Sequence, residues 1–219
     1  MFCVFKKHRL RTDVFFMGGF YMYLIIKRGL DIVLSLMGLL VLWPAFIVVM
    51  IGIKLDSPGS VLFKQKRVGK NKKYFYILKF RTMDQNAPKD IPTHLMGKNE
   101  CRITKFGGFL RRTSLDELPQ IINILKGDMS IVGPRPALWN QYDLIEERDK
   151  GKANKIRPGL TGLAQINGRD ELPIDVKASF DNFYADHLTF GMDVSCFFKT
   201  FGRVFTQKGV VEGGCNKRK

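Results

Sequence analysis

Two adjacent carboxylates, Asp116 and Glu117, stand in a setting that favours chemistry on an anion. Arg111 and Arg112 precede them, and an apolar, helix-like run follows Pro119. Proline is tolerated in the first turn of a helix but not deep inside one, so the sequence predicts a helix that begins near Asp116. The positive end of that helix would keep both carboxylates ionised. An ionised, positioned aspartate can be a nucleophile or a metal ligand, although a plain helix cap has the same local pattern.

Cations that could hold a phosphate precede the acid pair. Residues 64–81 contain eight lysines and arginines and no acidic residue. A strand predicted at residues 74–81 would project Lys79 and Arg81 from the same face, where they could form a phosphate clamp. The alternative is a basic edge that lies in solvent or against anionic lipid headgroups, particularly over residues 64–73.

Two turn-rich segments after the acid pair carry further candidates. Residues 133–136 read Gly-Pro-Arg-Pro, and the two prolines fix the backbone of Arg135. Residues 157–169 are rich in glycine, which lets backbone N–H groups approach a phosphate, and Arg169 adds charge. This second segment matches no established phosphate-loop pattern. The candidate substrate-binding residues are therefore Lys79, Arg81, Arg111, Arg135 and Arg169.

One long apolar stretch, residues 30–53, has the length of a bilayer helix. Pro44 lies past its middle and removes the hydrogen bond to the Leu40 carbonyl. Cations flank the stretch on both sides, and the positive-inside rule then favours a re-entrant hairpin that breaks at Pro44 and keeps both ends cytoplasmic. A kinked transmembrane helix is the main alternative; a signal peptide or a buried core helix has less support.

Composition narrows the class of protein. The 36 Lys and Arg residues exceed the 20 Asp and Glu residues, for a net charge of +16, which indicates a polyanionic partner such as nucleic acid, anionic lipid or a phosphorylated substrate. The four cysteines and three histidines are scattered, without the spacing of metal ligands. The cysteine pattern predicts reduced thiols facing a cytoplasm and no disulfide framework.

These features predict a membrane-associated, helix-rich α/β fold. Residues 1–21 would be a dispensable extension, and residues 22–55 a membrane hairpin or helix broken at Pro44. Residues 56–211 would form a cytoplasmic catalytic domain with short strands and amphipathic interfacial helices, and residues 212–219 a basic tail.

Seven motifs that occur in order give the chain a resemblance to the bacterial sugar transferase family, in particular the small monotopic phosphoglycosyl transferases. The resemblance covers about residues 22–211. The motifs are Lys27-Arg28-Gly29-Leu30-Asp31, the apolar stretch with Pro44, Lys79-Phe80-Arg81-Thr82-Met83, Ser114-Leu115-Asp116-Glu117-Leu118-Pro119-Gln120, Lys126-Gly127-Asp128-Met129-Ser130, Gly133-Pro134-Arg135-Pro136 and Pro158-Gly159-Leu160-Thr161-Gly162. One departure is Trp43-Pro44 where small members have Ser-Pro, because tryptophan cannot cap the freed carbonyl as serine can.

The resemblance implies an activity at the bacterial inner membrane. Such enzymes transfer sugar-1-phosphate from a UDP-sugar to undecaprenyl (polyprenyl) phosphate and release UMP, as the first membrane step of surface glycan synthesis. Asp116 maps onto the nucleophile that forms a phosphosugar-aspartyl intermediate. Glu117, with Asp116 beside it, maps onto the acid that positions Mg²⁺.

The implied partners are the UDP-sugar donor, the undecaprenyl phosphate acceptor, the lipid bilayer and downstream glycosyltransferases, with no nucleic acid. A competing hypothesis is a non-catalytic, membrane-tethered basic module that binds anionic lipid or nucleic acid. It explains the net charge but leaves Asp116 and Glu117 without a role. A scaffold with a dead site is a third hypothesis, and the intact acid pair disfavours it.

Overall fold

A long N-terminal helix and a small mixed domain make up the part of the chain that the computed structural model describes, residues 2–88, 102–168 and 171–206. Helix α1 runs over Phe2–Asp56. The other elements are β1 (Leu62–Val68), β2 (Tyr74–Phe80), α2 (Lys105–Arg112), α3 (Gln120–Lys126), β3 (Ser130–Val132), α4 (Tyr142–Asp149), β4 (Gly159–Thr161), α5 (Leu163–Asn167), α6 (Ile174–Asp186) and α7 (Phe190–Thr206). This is the predicted helix-rich α/β architecture with short strands.

Two small sheets organise the domain. Strands β1 and β2 form an antiparallel hairpin in which Phe63 pairs with Lys79, and Arg67 with Phe75. The predicted strand at residues 74–81 is thus confirmed, although it ends at Phe80. Strands β3 and β4 pair in parallel and bring two turn-rich segments side by side.

α1 remains helical through Pro44, so the break that the sequence predicts there is absent from the structure. Proline removes one backbone donor, and a long helix tolerates that loss as a local bend. Within α1, Met22–Asp56 is long and apolar enough to cross a membrane. Many of its large apolar side chains are exposed, Leu40 by 75% and Leu55 by 83%, as expected of a helix that faces lipid.

Polar side chains of α1 dock it onto the domain. Arg28 donates from its two Nη atoms to the carbonyls of Ile124 and Leu125 at 2.6 and 2.8 Å, where α3 ends. Asp31 accepts from the Ile131 N–H at 3.0 Å, at strand β3. Two residues of the motif that begins at Lys27 therefore hold α1 against the elements that carry the site.

The core between α1 and the hairpin is apolar. Val49 and Ile53 of α1 pack on Phe80 of β2 and Leu110 of α2, and all four side chains are buried. Because α2 leads directly into the segment with the acid pair, this contact fixes that segment relative to the membrane helix.

Candidate active site

The acid pair lies in a single 3₁₀ turn, Leu115–Glu117, between α2 and α3. The α-helix starts only at Gln120, with Pro119 as its N-cap, so the prediction that it begins near Asp116 is wrong. Pro119 has no N–H to donate to the carbonyl one α-turn back. The chain instead makes tighter i to i+3 bonds, such as Leu118 N–H to the Leu115 carbonyl at 3.2 Å.

Glu117 is held by two cations. Its Oε1 accepts from Lys79 Nζ at 2.8 Å and from Arg135 Nη2 at 3.0 Å. Lys79 comes from β2, and Arg135 comes from the Gly-Pro-Arg-Pro turn that follows β3. The carboxylate therefore joins two elements that are far apart in sequence, and both partners were predicted as phosphate-binding residues.

Asp116 is buried beside this ion cluster, with 9% of its surface exposed. Burial raises the pKa of the Asp116 carboxyl, and the neighbouring Glu117 adds to the rise, whereas Lys79, Arg111 and Arg135 oppose it. The direction is opposite to the one expected from a helix dipole, because desolvation outweighs the nearby positive charge.

Lys79 shows the complementary shift. Burial lowers the pKa of its ammonium group, although the Glu117 and Asp116 carboxylates act in the other direction. A carboxyl with a raised pKa beside an amine with a lowered one is a common feature of sites that bind and transfer charged groups.

Two further arginines hold the turn that carries Arg135. Arg148 Nη2 donates to the Arg135 carbonyl at 2.9 Å, and its guanidinium pairs with the buried Asp181 at 2.6 Å. Arg67 Nη1 donates to the Pro136 carbonyl at 2.9 Å. The sequence analysis did not identify Arg148, Asp181 or Arg67 as functional residues. Arg67 could have been found from the register of the hairpin, because the pairing of β1 with β2 places it on the same face as Lys79.

Arg111 lies in the last turn of α2 and donates from Nε to Thr82 Oγ1 at 2.8 Å. Its positive charge acts on the Asp116 carboxyl, as noted above, so its predicted position near the acid pair agrees with the structure. Arg169 lies outside the described residues.

Arg81 is not part of the cluster around Glu117. Its guanidinium donates to the carbonyls of Ser57, at 2.7 Å, and Pro58, in the segment that follows α1. β2 ends at Phe80, so the alternation that would pair Arg81 with Lys79 does not extend to it. The predicted pairing of Lys79 with Arg81 is therefore wrong, and the cation that lies beside Lys79 at Glu117 is Arg135.

The glycine-rich segment packs against the Gly-Pro-Arg-Pro turn. Gly133 N–H donates to the Thr161 carbonyl and Gly159 N–H to the Pro134 carbonyl, each at 2.8 Å. A Cβ on Gly162 would lie 2.1 Å from the Gly133 carbonyl oxygen. These glycines allow two backbones to approach closely, and the Gly159 amide that could have met a phosphate is used in this contact.

The other face of the hairpin carries a separate basic surface. Lys66 Nζ lies 4.1 Å from the ring centre of Tyr74, and an open groove of about 400 Å³ beside it is lined partly by Lys64, Tyr76 and Lys126. Pairing in β1 and β2 puts Lys64 and Lys66 on the face opposite Lys79. The basic residues of segment 64–81 are thus divided between this exposed face, which carries Lys64 and Lys66, and the acid site, which Lys79 contacts.

The carboxylates of the acid pair are the candidate ligands for Mg²⁺. Among the residues that the structure describes, no group of three or more His, Cys, Asp or Glu side chains is placed to hold a metal ion. Mg²⁺ is commonly bound by one or two carboxylates together with substrate phosphates. The adjacent Asp116 and Glu117 carboxylates fit that second kind of site.

Comparison with known proteins identifies a family and several named relatives. Residues 22–207 match the model of a family described as "Bacterial sugar transferase". The chain is 38% identical over 194 residues to the UDP-glucose:undecaprenyl-phosphate glucose-1-phosphate transferase of Xanthomonas campestris pv. campestris, covering 85% of this chain and 40% of that protein. It is 36% identical over 198 residues to the undecaprenyl-phosphate galactose phosphotransferase of Salmonella typhimurium, covering 84% and 41%.

A third relative is similar in length. The exopolysaccharide production protein PSS of Rhizobium leguminosarum bv. phaseoli is 41% identical over 191 residues, which cover 82% of this chain and 94% of that protein. The chain thus spans about two fifths of the Xanthomonas and Salmonella relatives but nearly all of the Rhizobium one.

Proposed function

Because the chain belongs to the bacterial sugar transferase family, we propose that it transfers sugar-1-phosphate from a UDP-sugar to undecaprenyl phosphate and releases UMP. The observation that carries the proposal is the buried Asp116 beside a Glu117 carboxylate that two cations hold, Lys79 and Arg135. The names of the Xanthomonas and Salmonella relatives support the acceptor and the class of group transferred.

The proposed chemistry has two displacements at one phosphorus atom. An Asp116 carboxylate oxygen attacks the β-phosphorus of the donor and forms a new P–O bond. The bond from that phosphorus to the bridging oxygen breaks, and UMP leaves with the electron pair. A phosphate oxygen of the lipid acceptor then attacks the same phosphorus and restores the Asp116 carboxylate.

The charges at the site support Asp116 as the nucleophile and Glu117 as the residue that positions the cations. Burial leaves the Asp116 carboxylate poorly solvated, which makes an ionised oxygen a better nucleophile. Lys79 and Arg135 offset the negative charge that would otherwise repel a diphosphate from two carboxylates. Glu117 fixes both cations in place and is not itself the attacking group.

Asp116 and Glu117 are also the residues that would hold Mg²⁺ together with the donor's phosphates. The metal would supply charge neutralisation of the diphosphate. Glu117→Gln should weaken the dependence of UMP release on Mg²⁺, and an unchanged metal titration would contradict this assignment.

We further propose that both ends of Met22–Asp56 lie on the cytoplasmic side of the inner membrane. Near one end the Tyr23 hydroxyl donates to Asp193 at 2.7 Å, and near the other Phe106 N–H donates to Asp56 at 3.0 Å. Along a helix these contacts are about 50 Å apart, more than the roughly 30 Å hydrocarbon layer. A perpendicular span would put them on opposite sides of the bilayer.

Topology is tested by labelling a reporter cysteine at Lys64, in a background without the native cysteines. The proposal expects labelling from the cytoplasmic side only. Labelling from the outer side would mean that α1 spans the membrane.

The reaction is tested by incubating membranes that contain the protein with undecaprenyl phosphate and a panel of UDP-sugars. We expect UMP release with at least one donor, and lipid-linked sugar phosphate as the second product. If no donor gives UMP while the membranes bind anionic lipid or nucleic acid, the non-catalytic basic module would replace this proposal.

A further inference from the structure

Gln120 is a buried polar residue within one turn of both acids. It is 1% exposed and follows Asp116 by four positions and Glu117 by three. The backbone here makes i to i+3 bonds, including Ile121 N–H to the Leu118 carbonyl at 3.1 Å. Residues three apart share one side of such a 3₁₀ segment, so Gln120 lies on the side of Glu117. The same side meets β2, because Glu117 binds Lys79 there, and Asn123, three residues after Gln120, accepts the Leu78 N–H at 2.9 Å.

The side-chain amide of Gln120 has an unused donor. Its buried Nε2 has no hydrogen-bond partner among the described residues. The neighbouring Asn123 differs, because its amide donates to the Tyr76 carbonyl at 2.8 Å and its oxygen accepts from Leu78. Leaving a buried donor unpaired is destabilising, so a fold that retains one commonly uses it to bind a ligand.

A phosphoryl oxygen would suit this donor. The amide is neutral, so it can approach an anion without adding to the positive charge that Lys79 and Arg135 already supply. Both of those cations contact Glu117 in the structure. A donor fixed by burial also needs little reorganisation when charge develops on the group that it faces.

We propose that Gln120 Nε2 donates a hydrogen bond to a non-bridging oxygen of the phosphoryl group that Asp116 attacks. This inference rests on the proposed function and adds a residue to it. The bond strengthens as negative charge develops on that oxygen, so it lowers the barrier to transfer more than it tightens donor binding.

The test compares Gln120→Met with the wild-type protein. Methionine keeps the length and burial of the side chain but has no donor. Loss of one hydrogen bond to a charged group predicts a fall in kcat of about 10- to 100-fold with little change in the KM for donor. The thermal midpoint should stay the same or rise, because no protein hydrogen bond is lost.

Gln165→Met is the matched control. Gln165 is also buried with an unpartnered amide, but it lies in α5, which packs on α6 and α7. We expect this variant to keep wild-type kcat. An equal loss of kcat in both variants would show that the effect is not specific to the acid site and would overturn the inference.

Other outcomes are equally decisive. Wild-type kcat in Gln120→Met, or a lowered thermal midpoint that accounts for its lost activity, would overturn the role of the amide while leaving the proposed function standing. A wild-type protein that releases UMP from no donor would instead overturn the proposed function, and this inference with it.

Discussion

The buried pair of Arg148 and Asp181 allows stability and catalysis to be separated by mutation. Their side chains are 5% and 1% exposed, and the Nη2 to Oδ2 distance is 2.6 Å. Asp181→Asn would leave the Arg148 charge buried without its counter-ion. Removing one partner of a buried pair costs about 3–5 kcal/mol. For a chain of this length that corresponds to a thermal midpoint lower by about 6–20 °C.

Replacing both residues should restore that stability. Burial raises the pKa of Asp181 despite the attraction of Arg148, and its Oδ1 has no hydrogen-bond partner among the described residues. The pair thus does not fully recover its desolvation cost. The double variant Arg148→Met with Asp181→Leu should therefore unfold within a few degrees of the wild-type midpoint.

Catalysis should not return in the double variant. Arg148 also donates to the Arg135 carbonyl, and neither methionine nor leucine can replace that bond. A loosened Arg135 should lower kcat/KM for the UDP-sugar by about 10- to 100-fold.

Thermal midpoints in detergent and UMP release would be measured on the wild-type, single and double variants. A double variant with both wild-type stability and wild-type kcat/KM would refute the positioning role of Arg148. A double variant as unstable as Asp181→Asn would show that the buried pair does recover its desolvation cost.

Three further predictions concern the site and its supports. The pH profile of UMP release should be bell-shaped. Asp116 must be ionised and burial raises its pKa, so the acid limb lies above the ordinary aspartate range; the lowered pKa of Lys79 brings the alkaline limb below the ordinary lysine range. The variant Lys79→Arg should move only the alkaline limb, to higher pH. Gly162→Ala should cost about 1–3 kcal/mol of stability because its Cβ meets the Gly133 carbonyl, whereas Gly191→Ala, where a Cβ meets nothing within 4 Å, is the control that should stay near neutral. Arg81→Met should lower the thermal midpoint by removing bonds to two carbonyls but leave the KM for donor unchanged; a raised KM would restore Arg81 to the phosphate clamp.

The acid pair and two of its cations were predictable because local chemistry and motif order agree. Glu117 and Arg135 stand beside prolines that restrict the backbone, and Lys79 belongs to a basic strand that precedes them in the order of the motifs. The structure brings them into direct contact, whereas the sequence predicted the two cations only as phosphate-binding residues.

The protonation tendency of Asp116 was not predictable in the same way. The helix-dipole argument used only the neighbouring sequence, whereas desolvation depends on which elements cover the side chain. Arg81 and Arg67 show a related limit. The predicted strand at residues 74–81 runs one residue past the end of β2, and that error placed Arg81 beside Lys79 in the clamp. Arg67 was missed because its face depends on the pairing of β1 with β2.

Backbone contacts between distant segments were also beyond the sequence. Glycines at residues 159 and 162 have the composition of a phosphate loop, but their positions are set by the backbone of Gly133. Pro44 is a further case, because a proline in an apolar helix is compatible with a break or with a bend, and the structure has a continuous helix.

The proposed reaction depends on a covalent bond between Asp116 and the transferred group. The direct measurement is mass spectrometry of the protein, quenched after incubation with the active UDP-sugar and no lipid acceptor, then digested. We expect a mass increase equal to one sugar phosphate on the peptide at Asp116, lost on addition of undecaprenyl phosphate and absent from Asp116→Asn. A modified Glu117, or product formation by an active Asp116→Asn variant, would contradict it.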